Sequence, residues 1–119
     1  MKNSSDSIRF ETRVPLKEVM RRNPTTIQIE ESVARAARAM CRDEVGSCIV
    51  LQDNIPVGIV TEEDFNCKVV AKDKKPGAVK VSEVMSTPLI TVGSEKTVRD
   101  AAHMMIKNHV RRLPVVDEE

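Results

Sequence analysis

The sequence predicts an α/β (α+β) fold built from two β-α-β-β-α units packed as a pseudo-two-fold pair, the second unit incomplete. Three observations predict it. First, the chain repeats itself: residues 16–51 recur 65 positions later as 81–116. Glu18-Val19-Met20 returns as Glu83-Val84-Met85, and Ser32 to Met40 returns as Thr97 to Met105. Two copies argue for a paired fold rather than a solenoid. Second, short β-branched runs alternate with amphipathic stripes at helical spacing inside each copy. Third, a single copy of about 60 residues buries only ~60% of its unfolded surface and is marginal alone, which pairing remedies.

Residues 1–13 read as a polar tail or docking arm, 14–73 as the first repeat, 74–80 as a linker and 81–119 as the second, incomplete repeat. Leu16 to Met20 is expected to form a short helix and Thr25 to Ile29 a strand. From Val33, apolar residues fall at 33, 36, 37, 40, 41 and 45, the stripe of an amphipathic helix, with Arg35, Arg38 and Arg42 on the opposite, solvent-facing side. Ser47 to Leu51 and Ile55 to Val60 are strands joined through Gln52-Asp53-Asn54, a hairpin. Thr61 to about Lys72 is helical. Asp73 to Gly77 is a connection by charge and Pro-Gly punctuation. The second copy repeats the order: short helix 81–85, strand 90–92, helix 97–109 with a stripe at Val98, Ala101, Ala102, Met105, Ile106 and Val110, and strand 112–116.

The 119 residues carry 19 basic and 18 acidic side chains, a net charge of +1, so no general attraction to polyanions exists. Single-stranded nucleic acid is disfavoured too, because Phe10 and Phe65 are the only aromatic residues. The core must be aliphatic. No apolar run reaches the ~20 residues that span a bilayer. Residues 1–13 have no hydrophobic signal core, which leads to a cytoplasmic expectation. Cys41, Cys48 and Cys67 lack paired spacing, and two of them stand in apolar contexts, which predicts buried free thiols. His103 and His109 share no ligand spacing with the cysteines, so no metal site is expected. No nucleophile elbow, Ser-His-Asp order or phosphate loop is present, so a non-enzyme is expected.

The doubled order and particular residues resemble the tandem CBS-domain pair, or Bateman module. The similar stretches are Leu16 to Met20, Gly58-Ile59-Val60-Thr61-Glu62-Glu63-Asp64, Val81 to Met85, and Val110-Arg111-Arg112-Leu113-Pro114-Val115-Val116-Asp117. The resemblance covers about residues 14–119. It implies a regulatory module for an adenosine-containing ligand (AMP, ADP, ATP or S-adenosylmethionine), with no resident cofactor. It also implies a homodimer formed through helices, for which the stripes containing Met40 and Met105 are candidates. The regulated partner protein is not legible. By the same resemblance, Thr61 and Asp64 hold the sugar hydroxyls. Asn23-Pro24-Thr25 and Val45-Gly46-Ser47 lie beside the base, and Arg111 and Arg112 face the phosphates. The second copy's counterpart of Gly58 to Asp64 would fall beyond Glu119, so at most one complete site is expected.

The chemistry of these residues suits those roles. A carboxylate accepts from both hydroxyls of a vicinal diol, which fits Asp64. Thr61 stands at a strand-to-helix turn, where backbone N–H groups face outward. Arg111 and Arg112 can fork onto a phosphate. The same residues have plainer readings. Thr61 to Asp64 is also a capping box, and the two roles can coexist. Arg111-Arg112 is also a solvated strand end. A ligand-free dimerisation or docking module is therefore the rival function, and a nucleic-acid-associated regulator a weaker one.

Overall fold

The computed structural model describes residues 24–110 and 113–116. They form two compact units, one spanning Asn23–Leu89 and one that begins at Ile90. The expected helix at Leu16 to Met20 and the tail at 1–13 lie outside the described residues.

The first unit is a three-stranded sheet in the order β1-β2-β3, comprising β1 (Thr26–Gln28), β2 (Ser47–Gln52) and β3 (Ile55–Thr61). Strand β1 runs parallel to β2, with Thr26 opposite Ile49. Between them the chain crosses over through helix α1 (Val33–Asp43). Its start is fixed by Ser32, whose hydroxyl oxygen accepts the Arg35 N–H at 3.1 Å. Its end is fixed by Glu44, which adopts the left-handed conformation at φ 57°. There the N–H groups of Glu44 and Val45 reach back to the carbonyls of Cys41 and Met40 at 3.2 and 3.0 Å.

Helix α1 buries Val33, Ala36 and Met40, while Arg35, Arg38 and Arg42 face solvent as the stripe predicts. Cys41 corrects the expectation: it is exposed, as is Cys67, and only Cys48 is a buried thiol. At about 100° per residue, Cys41 falls on the flank of the stripe furthest from Ala36. Met40 is 4% exposed and belongs to the core, so it does not offer the dimer surface expected of it.

The hairpin forms as read. Asp53 and Asn54 both take positive φ, 52° and 64°, the turn whose twist matches antiparallel strands. Pairing runs Val50 to Gly58 and then Leu51 to Pro56, so Val57 is the extra residue of a bulge. Beyond β3 the expected single helix is shorter and irregular. Helix α2 (Glu62–Phe65) passes into a wide π turn over Asn66–Val70, which buries Val69 and leaves Val70 exposed.

One-turn 3-10 helices at Pro76–Ala78 and Val81–Glu83 follow. The second of these starts the second copy in the sequence, yet it packs on the first unit. Val81 and Val84 join a core of Val33, Ala36, Met40, Cys48, Val50, Val60, Val69 and Val79. The Val33 N–H donates to Val79 C=O at 2.8 Å, and the Val81 N–H to Glu31 C=O at 2.9 Å. Ser86 then pairs with Ile59 of β3 through bonds of 2.9 and 3.3 Å. Gly58 admits this close pass: a Cβ there would lie 2.9 Å from Ser86 O and 2.9 Å from Met85 Sδ.

The second unit holds β4 (Val92–Gly93), α3 (Val98–Asn108) and β5 (Val115–Val116), with β4 parallel to β5. The internal repeat is present in the register itself. Ile27 pairs with Val50 and Gln28 with Leu51 in the first unit, and Val92 with Val115 and Gly93 with Val116 in the second. Helix α3 likewise starts at a Thr97 cap and ends at left-handed His109, the counterparts of Ser32 and Glu44. Both strands are shorter than the expected 90–92 and 112–116. Ile106 of the predicted stripe is 73% exposed, on the same flank position as Cys41 in α1. Among the described residues, no helix is long and apolar enough to cross a membrane.

Candidate functional site

The topology gathers the first unit's predicted residues at one end of its sheet. Because β1 and β2 are parallel and β3 is antiparallel to β2, the starts of β1 and β2 lie beside the end of β3. Pro24 and Thr25 precede β1, Val45 and Gly46 precede β2, and Ser47 pairs with Thr61. The Thr25 carbonyl accepts the Ile49 N–H at 2.9 Å, and the Gly46 carbonyl accepts the Glu62 N–H at 3.1 Å. Pro24 is exposed, Thr25 is buried, and Val45, Gly46 and Ser47 are half-buried. Asn23, Arg111 and Arg112 lie outside the described residues.

Thr61 and Asp64 form a closed capping box at the start of α2. The Asp64 N–H donates to Thr61 Oγ1 at 3.3 Å, and the Thr61 N–H donates to Asp64 Oδ2 at 2.9 Å. The Thr61 hydroxyl lies 3.2 Å from the same oxygen. The other oxygen, Oδ1, meets the Lys68 ammonium at 3.0 Å. Asp64 is 9% exposed, so this carboxylate is oriented by its partners inside the surface rather than solvated on it.

Two residues of this end were not singled out in the sequence. Lys68 stands four residues after Asp64, the spacing of a helical ion pair, and that signal was available. Asp43 closes α1 and accepts the Thr25 hydroxyl at 2.6 Å, a contact 18 residues apart that has no local signature. Asp43 is paired in turn with Arg42, at 2.9 and 3.1 Å. Among the described residues, no group of three or more His, Cys, Asp and Glu side chains is arranged to hold a metal ion.

The CBS domain family model matches residues 16–67 and 81–119. The chain belongs to the CBS-domain family, a class of regulatory modules. A CBS domain-containing protein of Bacillus subtilis is 30% identical over 103 residues, covering 87% of this chain and 73% of that protein. An uncharacterized protein of Methanopyrus kandleri is 36% identical over 106 residues, 88% of this chain but 54% of its own length, so this chain spans about half of that relative. Among solved structures, a CBS domain protein from Pyrobaculum aerophilum complexed with AMP superposes with a TM-score of 0.79. It is 23% identical, and the match covers 88% of this chain and 80% of that one.

Proposed function

We propose that this chain is a non-catalytic regulatory module that binds an adenosine-containing ligand, with Thr61 and Asp64 receiving the ribose hydroxyls. The observation that carries the reading is the buried Asp64 carboxylate at the sheet end where Pro24-Thr25 and Val45-Gly46-Ser47 also converge. Asp64 Oδ2 is engaged by Thr61, whereas Oδ1 accepts from Lys68 alone in the bonds described above, and a carboxylate oxygen has room for a further donor. In this reading the base is held by aliphatic surface and backbone groups. The AMP complex of the Pyrobaculum protein gives the fold a precedent for such a ligand. Arg111 and Arg112 are assigned to the phosphates. Three free cysteines suit a reducing, cytoplasmic setting. Self-association is assigned to the α3 flank carrying exposed Ile106.

A second reading, a ligand-free docking or dimerisation module, is favoured by one observation: the Thr61–Asp64 capping box is complete without any ligand. Thermal unfolding with AMP, ADP, ATP, S-adenosylmethionine and a GTP control separates the two. A ligand at a hundred times its Kd adds about 2.7 kcal/mol of stability. A selective upward shift of Tm with an adenosine ligand supports the sensor. A well-folded chain that responds to none of them supports the docking module.

A further inference from the structure

We infer that Lys68 is a positioning residue that ties the Asp64 carboxylate to the backbone at Val84, so that occupancy of Asp64 is read out in the segment 84–86. This rests on the reading of Asp64 as the ligand-facing carboxylate and extends it to regulation. The Lys68 ammonium stands 3.0 Å from Asp64 Oδ1 and 2.9 Å from the Val84 carbonyl oxygen, so one cation joins two acceptors from different parts of the chain. The two ends of this tie are both fixed. Asp64 is locked by the capping box, and Val84 is 3% exposed in the core. Just after Val84, the Met85 N–H donates to Val81 C=O and the Ser86 N–H to Ile59 C=O, each at 2.9 Å.

The segment is seated tightly as well, because it passes Gly58 at a distance that leaves no space for a Cβ. A hydroxyl donating to Asp64 Oδ1 shares the oxygen that Lys68 holds. Ligand therefore changes the strength of the Lys68 tie, and with it the hold on residues 84–86. No conformational change follows from occupancy alone; the ligand must favour one state of the tie over the other.

Hydrogen exchange at the Met85 and Ser86 amides tests this, with wild type, Lys68→Met, Lys68→Arg, Asp64→Asn and the double variant Asp64→Asn/Lys68→Met, each without ligand and with AMP. Lys68 is 45% exposed, so its replacement does not threaten the core. Without ligand, Lys68→Met and Asp64→Asn each speed exchange several-fold, the double variant is no faster than either, and Lys68→Arg retains the wild-type rate. Unchanged exchange in Lys68→Met, or acceleration in Lys68→Met without any in Asp64→Asn, overturns the tie. With AMP, exchange at 85 and 86 changes in wild type and not in Lys68→Met; a change that persists in Lys68→Met overturns the coupling. If folded wild type binds no AMP by calorimetry, the adenosine reading fails by itself, while the ligand-free comparison still decides the role of Lys68.

Discussion

The Thr25 hydroxyl donates to Asp43 Oδ2 at 2.6 Å, joining the start of the first strand to the end of the helix that follows it. This bond closes the crossover between β1 and β2 at the end of the sheet where the candidate site lies. It explains why a polar side chain is buried at position 25.

Thr25→Val keeps the shape and removes the donor. Asp43 then loses a charge-assisted partner in a half-buried place. The expected cost is about 1–2 kcal/mol, read as a lower midpoint in urea with an unchanged slope. Wild-type stability in Thr25→Val would mean that the bond is solvent-exchangeable and does not hold the crossover.

Gly58→Ala places a methyl against Ser86 O and Met85 Sδ, each 2.9 Å from the built Cβ. Because one of these is backbone, the segment after Val84 must move. The expected loss is about 1–3 kcal/mol, typical of overpacking. Equilibrium unfolding measures it, and amide exchange at Ser86 should rise in parallel. A stabilised Gly58→Ala protein would contradict the close pairing of Ser86 with Ile59.

Cys48 gives an alkaline signature. Burial, aided by the Asp43 carboxylate and opposed by Arg42, pushes its thiol up from 9.0 to about 11. The folded state thus holds this proton more tightly than the unfolded chain. Its contribution is complete below pH 9 and is lost as the pH rises through 11. Stability measured from pH 8 upward should fall more steeply in wild type than in Cys48→Val, and parallel profiles would refute the assignment. At pH 8, a thiol-alkylating reagent should modify Cys41 and Cys67 in the native protein and reach Cys48 only on unfolding.

How far the fold could be read from the residues depended on whether the signal was local. The repeat was legible because both copies use the same caps and strand register, so Ile27–Val50 recurs as Val92–Val115. The Asp53-Asn54 turn was legible because two residues tolerant of positive φ stand between two apolar runs. Burial along the helices was overread at their flanks, since apolar periodicity does not say how wide a stripe the core covers; Cys41 and Ile106 are the result. The packing of Val81 and Val84 on the first unit had no local signal at all, because the sequence assigns them to the second copy. At the candidate site, Thr61 and Asp64 were legible as a cap and as a resemblance. The bridge from Asp64 through Lys68 to Val84 depends on a contact 16 residues apart, and only its Asp64–Lys68 half is local.

The central claim is that Asp64 recognises a ribose diol. Titration calorimetry of wild type and Asp64→Asn with AMP and with 2′,3′-dideoxyadenosine monophosphate tests it most directly. The account predicts that wild type prefers AMP by tenfold or more, about 1.4 kcal/mol, and that Asp64→Asn, still folded, loses this preference. Equal affinity of wild type for the two nucleotides, or no binding of either by the folded chain, would contradict it.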